Sequence, residues 1–426
     1  MNQPTCLPPL SYVVFHVDAN SAYLAWEAID RLRQGDPVDL RLLTAVVGGD
    51  EASRHGIVLA KSAKAKKAGI ITGESLYAAR QRVPNLVVVP PRYHLYMQCS
   101  RDMIEILRQY SPVVQQYSID EAFVAYTIPS RNTQEALDAA YRLKDQVRNE
   151  LGFTVNVGIG PNKLLAKMAS ELEKPDKVHT LFHEEIADKM WPLPVDELFF
   201  VGRATARKLR NYGVYTIGAL ARQDPRLVHA WLKKPGLLIW QYANGMDESV
   251  VTEQKPPIKS VGNSNTIAFD VEDRQTAHQI LLALTETVAM RLRAMDRCGR
   301  VVAVAVRSHQ LVTYRHQRRL DSPTDITNHI WQHACRLFDE CWKGEPVRHL
   351  GVHVSELCSN DFYQLSIFDR DIDRLTRLDQ TIDQLRRRFG YDAVFRGCFS
   401  HSVIRPMMGG VLQEQEEEYP MMSSYL

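Results

Sequence analysis

Long apolar runs are missing from these 426 residues: none approaches the ~18 to 20 residues that a membrane-spanning helix needs. The opening stretch MNQPTCLPPL has neither the basic start nor the apolar core of a secretory leader, so no membrane association and a cytoplasmic location are expected. Cysteine is sparse. Seven are scattered without a CxxC or other paired spacing, which excludes a disulfide framework and a structural zinc site and leaves them as reduced, packed thiols. Neither sign of charge dominates. With a formal net charge of +2, any polyanionic partner must be met by local patches rather than by the whole surface. Hydrophobic side chains, at 45%, suffice for several packed cores over this length, and a soluble multidomain protein is expected.

From residue 11 the run SYVVFHVDA is apolar and β-branched, and SAYLAWEAIDRL then takes up helical spacing, predicting a buried strand feeding a helix. LRLLTAVV and GIVLA predict strands either side of the turn-rich GGDEASRH, followed by the helical KSAKAKKAG and ESLYAARQRV. LVVVPP is a short strand and RYHLYMQCSRDMIEILRQY a long amphipathic helix. Strand (VVQQYSIDEAFVAY), helix (TQEALDAAYRLKDQVRNEL), strand (TVNVGIG) and helix (NKLLAKMASELE) complete an α+β sheet expected to carry its helices on one face.

After residue 191 the strand signal stops. PVDELFFVGRATARKLRNYGVYTIGALAR is a succession of short helical patterns joined by Gly-containing turns, a small all-helical domain ending near residue 250. TEQKPPIKS reads as a linker. Beyond it comes a second α/β unit, with GRVVAVAVRS, LVTYRHQRRL and VRHLGVHVSEL as strands and the two stretches between as helices. DRLTRLDQTIDQLRRRF is one further helix, and EQEEEYPMMSSYL an acidic tail expected to be solvated.

Asp18 ends a buried strand pattern, where a carboxylate is costly unless paired or metal-bound, and Asp120 and Glu121 sit in a second strand of the same domain. Three carboxylates at strand ends without nearby His or Cys ligands favour a hard cation such as Mg²⁺. Two such ions roughly 3.5 to 4 Å apart are the usual arrangement for phosphoryl transfer. On spacing alone the alternative stays open: Asp18 as a helix cap, and the other two acids as solvated hairpin residues. Strand alternation points adjacent side chains to opposite faces, so Asp120 and Glu121 can share a site only where the strand bends into its hairpin. Lys61, Lys64, Lys66 and Lys67 are clustered, and Lys174 precedes a proline after a helix; both are candidate triphosphate contacts or solvated faces.

HVDANSAYLA, YSIDEAF and VGIGPNKLLAKMASELEKP, in that order, resemble the three catalytic motifs of the Y-family, or translesion, DNA polymerases, in particular the DNA polymerase IV-like branch. DELFFVGRATARKL resembles the family's thumb hairpin and KSVGNSNTI the start of its little finger, so the resemblance runs from about residue 11 to 400. It implies a multidomain α+β right hand. A ferredoxin-like palm would occupy 11–30 and 90–184, small fingers 31–89, and a helix-hairpin-helix thumb 185–250. A linker at 251–258, an α/β little finger at 259–357 and a C-terminal region at 358–426 would follow.

The implied activity is template-directed, low-fidelity DNA synthesis past damaged template, with primer–template DNA and deoxynucleoside triphosphates as substrates. The resemblance implies two Mg²⁺ held by Asp18 and Asp120, with Glu121 on the ion at the primer 3′-hydroxyl and the Ala19 backbone carbonyl on the other. Tyr23 matches the steric gate against a ribose 2′-hydroxyl, in keeping with rejection of an added hydroxyl by bulk. Lys66 stands where the family usually has a triphosphate-binding arginine, Lys174 where it has a lysine, and Ala63 where many members have a tyrosine. Lys66 keeps the charge but loses the bidentate fork, so weaker nucleotide binding is expected.

Val201, Gly202 and Arg203 form the turn of the helix-hairpin-helix, suited to a DNA phosphate. Arg307, Arg315, Arg318 and Arg319 place positive charge on strands of the little finger, suited to duplex backbone. Gln364, Leu365, Ser366, Ile367 and Phe368 of QLSIFD resemble the peptide by which bacterial polymerases hold the sliding clamp. A monomer is expected. VGGDE at 47–51 is similar to the diguanylate cyclase signature, but Ala52 follows it and it reads as a plain turn. The remaining rival is a catalytically inactive polymerase-fold accessory protein that binds DNA and clamp, against which the presence of all three acids counts.

Overall fold

The structure, a computed structural model, describes residues 11–128, 133–254, 257–360, 371–400 and 402–407. The clamp-like peptide Gln364 to Phe368 and the acidic tail lie outside them. Two units are formed, Met1–Gly48 with Val58–Lys255, and Gly49–Ile57 with Pro256–Leu426.

In the first unit the chain runs β1 (Ser11–Ala19), α1 (Ala22–Arg33), β2 (Ala45–Gly48), β3 (Val58–Lys61), α2 (Ala63–Lys67), α3 (Leu76–Arg82), β4 (Val87–Val89) and α4 (Tyr93–Tyr110). It continues with β5 (Val114–Gln116), β6 (Glu121–Ile128), α5 (Thr133–Leu151), β7 (Val155–Gly160), α6 (Lys163–Glu171) and β8 (Val178–Thr180). The main sheet has the order β5-β6-β1-β7-β8, with β1 central and antiparallel to both neighbours. Its first four strands, taken with α4 and α5, have the ferredoxin-like order.

Alternation along β1 decides what packs where. Val13, Phe15 and Val17 point into a core shared with Trp26 of α1, Leu107 of α4 and Leu143 of α5. Val14 and His16 point the other way, where Val14 packs with Phe123 and Ala166 of α6. The helices are therefore not confined to one face, as the sequence pattern suggested: α6 lies on the opposite one. Gly158 and Gly160, two apart on β7, admit it. A Cβ on Gly158 would stand 2.0 Å from the Ala166 carbonyl oxygen and 2.4 Å from the Ser170 nitrogen, so only glycine lets the helix close on the strand.

A second sheet, β3-β2-β4, has its own small core of Val46, Val58, Ala65, Ile70, Leu76, Ala79 and Leu86. The run LRLLTAVV is extended only from Ala45. Leu40–Leu42 is one turn of 3₁₀ helix, because the Asp39 carboxylate accepts the Arg41 N–H at 2.9 Å and closes a local turn in competition with a strand. VGGDE is not wholly a turn: Val47 and Gly48 end β2, and the chain leaves the strand only after them. The helical part follows as α7 (Arg203–Asn211), α8 (Ile217–Ala221) and α9 (Pro225–Ala243), the last broken at Lys233 just before Pro235. Its core is continuous with Leu164, Leu165 and Met168 of α6.

The second unit contains β9 (Ser260–Val271), α10 (Arg274–Ala294), β10 (Arg297–Ser308), β11 (Thr313–Thr324), α11 (Thr327–Cys341), β12 (Val347–Ser359) and α12 (Ile372–Phe389). The antiparallel sheet has the order β11-β10-β12-β9. β9 has no counterpart in the sequence pattern, because SVGNSNTIAFDV is rich in Asn, Gly and Ser, which are depleted in strands. It pairs as an edge strand along β12. Buried charges fix α12 to the unit: Arg293 meets Asp383 at 2.6 Å and Asp379 at 3.1 Å, and Arg386 meets Glu286 at 3.1 Å. The described cysteines are free thiols, and no helix among the described residues is long and apolar enough to cross a membrane.

Candidate active site

The β5–β6 hairpin explains how adjacent carboxylates serve one place. Its turn closes with the N–H groups of Tyr117 and Ser118 both donating to the Glu121 carbonyl, at 3.0 and 3.1 Å. Asp120 is thus the last residue of the turn and Glu121 the first of β6, so strand alternation does not govern the pair. Glu121 stands directly opposite Asp18 in the β1–β6 ladder, and the Ala19 N–H donates to the Asp120 carbonyl at 2.9 Å. All three acids and Ala19 therefore meet at one end of the sheet.

Each acid has a different local charge balance. Burial pushes the Asp18 carboxyl up despite its ion pair with Lys174. Burial does the same to Asp120, opposed by a hydrogen bond from the Ser118 hydroxyl at 2.5 Å. Burial also works against Glu121, but His16 and Lys167 outweigh it and hold its carboxyl at about 2. The Lys167 ammonium pairs with Glu121 Oε2, and the His16 ring lies 2.9 Å from the same oxygen. Complete burial lowers the His16 pKa. A neutral ring beside a carboxylate, which only accepts, carries its proton on Nε2; Nδ1 lies 2.7 Å from Ser170 Oγ, whose hydroxyl donates to the Lys167 carbonyl at 2.7 Å.

Three carboxylates of which two are raised by burial have the composition of a hard-cation site. As they stand, no three metal-ligating side chains are gathered closely enough to hold an ion among the described residues. The reason is visible in the pairings: Asp18 is drawn to Lys174, and Glu121 to Lys167 and His16. The residues fit a divalent cation in kind, with two lysines now neutralising part of the charge it would neutralise.

Tyr23, the second residue of α1, is partly buried and stacks on Tyr96; burial and the charge of Asp120 raise its hydroxyl pKa. Lys174 joins the acids through Asp18 and also meets Glu171 at 2.9 Å. Lys66 is exposed on α2 beside Lys61, whose pKa falls through burial and the Lys66 charge, and it does not join the acids among the described pairings. Ala63 opens α2 after Ser62, whose hydroxyl accepts the Ala65 N–H at 3.0 Å. Gly202 is the N-cap of α7 with Arg203 exposed after it; Val201 is buried. Gly202 has no side chain to cap the helix, which leaves its first backbone N–H groups for another acceptor.

Alternation separates the four arginines of the second unit. Arg315 and Arg319 share one face of β11, and Arg307, opposite Thr313, shares it from β10. Arg318 has the opposite parity, with His316, and both reach Glu340 of α11, Arg318 at 2.9 Å. Arg318 therefore does not share the sheet face of the other three arginines with which the sequence reading grouped it. Arg319 on the open face pairs with Glu356 at 2.8 Å.

The sequence reading missed His16, Lys167 and Ser118. His16 is two residues before Asp18 on a strand, hence on the same face. Lys167 lies on α6, the helix that Lys174 follows, within the same VGIGPNKLLAKMASELEKP stretch.

Such a constellation, acids at the end of a ferredoxin-like sheet beside lysines and a small helical hairpin domain, is that of a nucleotide-polymerising hand. Residues 17–171 match the impB/mucB/samB family, 183–214 the IMS family HHH motif and 258–367 the impB/mucB/samB family C-terminal domain. The DNA polymerase IV of Clostridium acetobutylicum is 45% identical over 388 residues, 91% of this chain and 98% of that protein. That of Acetivibrio thermocellus is 36% identical, over 90% and 96% of the two chains. A solved Y-family DNA polymerase chimera has the same fold, with a TM-score of 0.69 at 19% identity over 82% of this chain and all of that one. The chain belongs to the impB/mucB/samB family, the Y-family DNA polymerases, and within it to the DNA polymerase IV-like branch.

Proposed function

We infer that the chain is a DNA-directed DNA polymerase of the translesion type, adding deoxynucleotides to a primer 3′-hydroxyl with displacement of pyrophosphate. The observation that carries this is the meeting of Asp18, Asp120 and Glu121 at one sheet end within a family whose relatives are polymerases. The cofactor is Mg²⁺, two ions per site, held by Asp18, Asp120, Glu121 and the Ala19 carbonyl. Bound there, magnesium activates the 3′-hydroxyl and neutralises charge on the reacting phosphates.

The chain's own residues do the rest. His16 and Lys167 hold Glu121 ionised at the primer side. Lys174 turns from Asp18 to the incoming triphosphate, and Tyr23 excludes the ribose 2′-hydroxyl. Ala63 and Lys66 give a looser hold on the triphosphate than a tyrosine and an arginine would. Gly202 and Arg203, after the buried Val201, grip backbone phosphate, and Arg307, Arg315 and Arg319 lie along duplex backbone. The enzyme works as a cytoplasmic monomer, with QLSIFD tethering it to the sliding clamp.

Primer extension with Mg²⁺ on an undamaged and a lesion-bearing template tests the reading. Wild type extends both and Asp120→Ala neither; equal, poor extension by the two proteins would establish the accessory role instead.

A further inference from the structure

Tyr23 and Glu27 lie one turn apart on α1, and Arg92 and Tyr96 one turn apart at the start of α4. The two pairs interlock. The Tyr23 and Tyr96 rings stack with centroids 4.3 Å apart and planes 10° apart. The Tyr96 hydroxyl donates to Glu27 Oε1 at 2.8 Å, and Arg92 closes on the same carboxylate, with Nε and Nη2 at 2.9 and 2.6 Å from Oε2. Arg92 also reaches Asp30 at 2.7 Å. Trp26 and Tyr93 meet Tyr23 at angles of 43° and 87°, which bounds its ring on two more sides.

Tyr96 and Glu27 are fully buried, and a buried carboxylate needs partners to be tolerated at all. Here its partners are the guanidinium of Arg92, the residue just before α4, and the hydroxyl of the ring behind Tyr23. A stacked phenyl group alone could slide and tilt with its neighbour. One whose far end is hydrogen-bonded to a clamped carboxylate cannot, and the plane of Tyr96 sets the plane of Tyr23.

We propose that Tyr96, Glu27 and Arg92 are positioning residues for sugar discrimination, fixing the height and tilt at which the Tyr23 ring meets C2′ of the incoming nucleotide. The proposal rests on the reading of Tyr23 as the sugar gate. Exclusion by bulk works only if the excluding ring does not yield, and discrimination over one small group is sensitive to small displacements.

The test is kcat/KM for matched ribo- and deoxynucleotides on one primer–template, with the full chain, for wild type, Tyr23→Ala, Tyr96→Leu, Tyr96→Phe and Glu27→Gln. Tyr96→Leu is expected to raise the ribo-to-deoxy ratio roughly 10-fold, and Tyr96→Phe and Glu27→Gln, which loosen only the anchor, by about 3-fold. General damage to the fold lowers both sugars together and leaves the ratio alone. Because Tyr96→Phe removes the hydroxyl held by Glu27 and Glu27→Gln weakens the hold of Arg92 on the same anchor, the two effects should combine to less than their product in the double variant. A wild-type ratio in Tyr96→Phe and Glu27→Gln beside a relaxed Tyr23→Ala overturns the positioning role only. An unchanged ratio in Tyr23→Ala overturns the gate itself, and the proposal with it. If Tyr96→Leu does not fold, Tyr96→Phe, which keeps the stack, decides the matter.

Discussion

Asp18 and Glu121 face each other directly across the β1–β6 ladder, with Asp120 one residue beyond. Like charges so placed destabilise a sheet unless a cation intervenes. Lys174 and Lys167 supply part of that charge, yet Asp18 and Asp120 are still raised by burial. A carboxyl raised in the folded state opposes folding at neutral pH, and the opposition fades as pH falls through its folded-state pKa.

Asp120→Asn should therefore stabilise the metal-free protein while abolishing polymerisation. An increase in Tm of about 2 °C or more is expected without divalent ions, since roughly 1 kcal/mol shifts a domain of this size by about that much. Added Mg²⁺ should raise the wild-type Tm, because only the folded site binds it, and should leave the variant almost unmoved. A variant that melts below wild type without metal would show that Asp120 is already compensated.

Glu121 should behave in the opposite sense. Its carboxyl is held at about 2, below the ordinary 4.5, so its contribution is complete above about pH 4.5 and is lost as pH falls from there towards 2. Subtracting the unfolding free energy of Glu121→Gln from that of wild type should give a difference that shrinks across this window, by on the order of 2 kcal/mol. Glu121→Gln should mainly lower kcat, whereas Asp120→Asn should also weaken nucleotide binding, measured directly as an equilibrium affinity with metal present. Equal nucleotide affinity in the two variants would remove the assigned asymmetry.

Gly158→Ala should destabilise the first unit and disable catalysis together. The added Cβ meets backbone atoms of α6, not a flexible side-chain end, so strand and helix must part; about 2 to 3 kcal/mol is expected. Because α6 carries Lys167, and Lys174 follows it, the shift should reach Glu121 and Asp18. Thermal melting and primer extension on one preparation check both halves, and a fully active Gly158→Ala would dissociate the helix from the site.

Most of the first unit could be read from the chain because its strands are continuous apolar runs and its helices have a clear period. The hairpin bend at YSIDEAF could also be inferred, since two adjacent acids have no other way to share a site. What escaped depended on partners distant in sequence. Gly158 and Gly160 mark the close approach of α6 only once it is known which face of β7 they lie on. His16 looked like a strand residue until Glu121 and Ser170 were beside it. β9 is a strand because β12 offers it an edge, not because SVGNSNTIAFDV favours extension. Arg318 was separable in principle, having the parity opposite to Arg315 and Arg319, but charge was counted there without alternation.

That parity leads to a test of DNA binding. Arg315 and Arg319 lie on the open sheet face, while Arg318 is engaged with Glu340 towards α11. Each phosphate contact removed should lower the slope of log affinity against log salt by about 0.9 on duplex DNA. Arg315→Ala and Arg319→Ala should each weaken primer–template binding several-fold at low salt and flatten that slope, additively in the double variant. Arg318→Ala should leave the slope at its wild-type value, because alternation along β11 turns its side chain away from the face of Arg315 and Arg319 and towards Glu340 of α11. Fluorescence anisotropy over a salt series measures all three. If Arg318→Ala flattened the slope as much as Arg315→Ala, the duplex would not be confined to the open face, and the helix side of β11 would have to be part of the DNA surface.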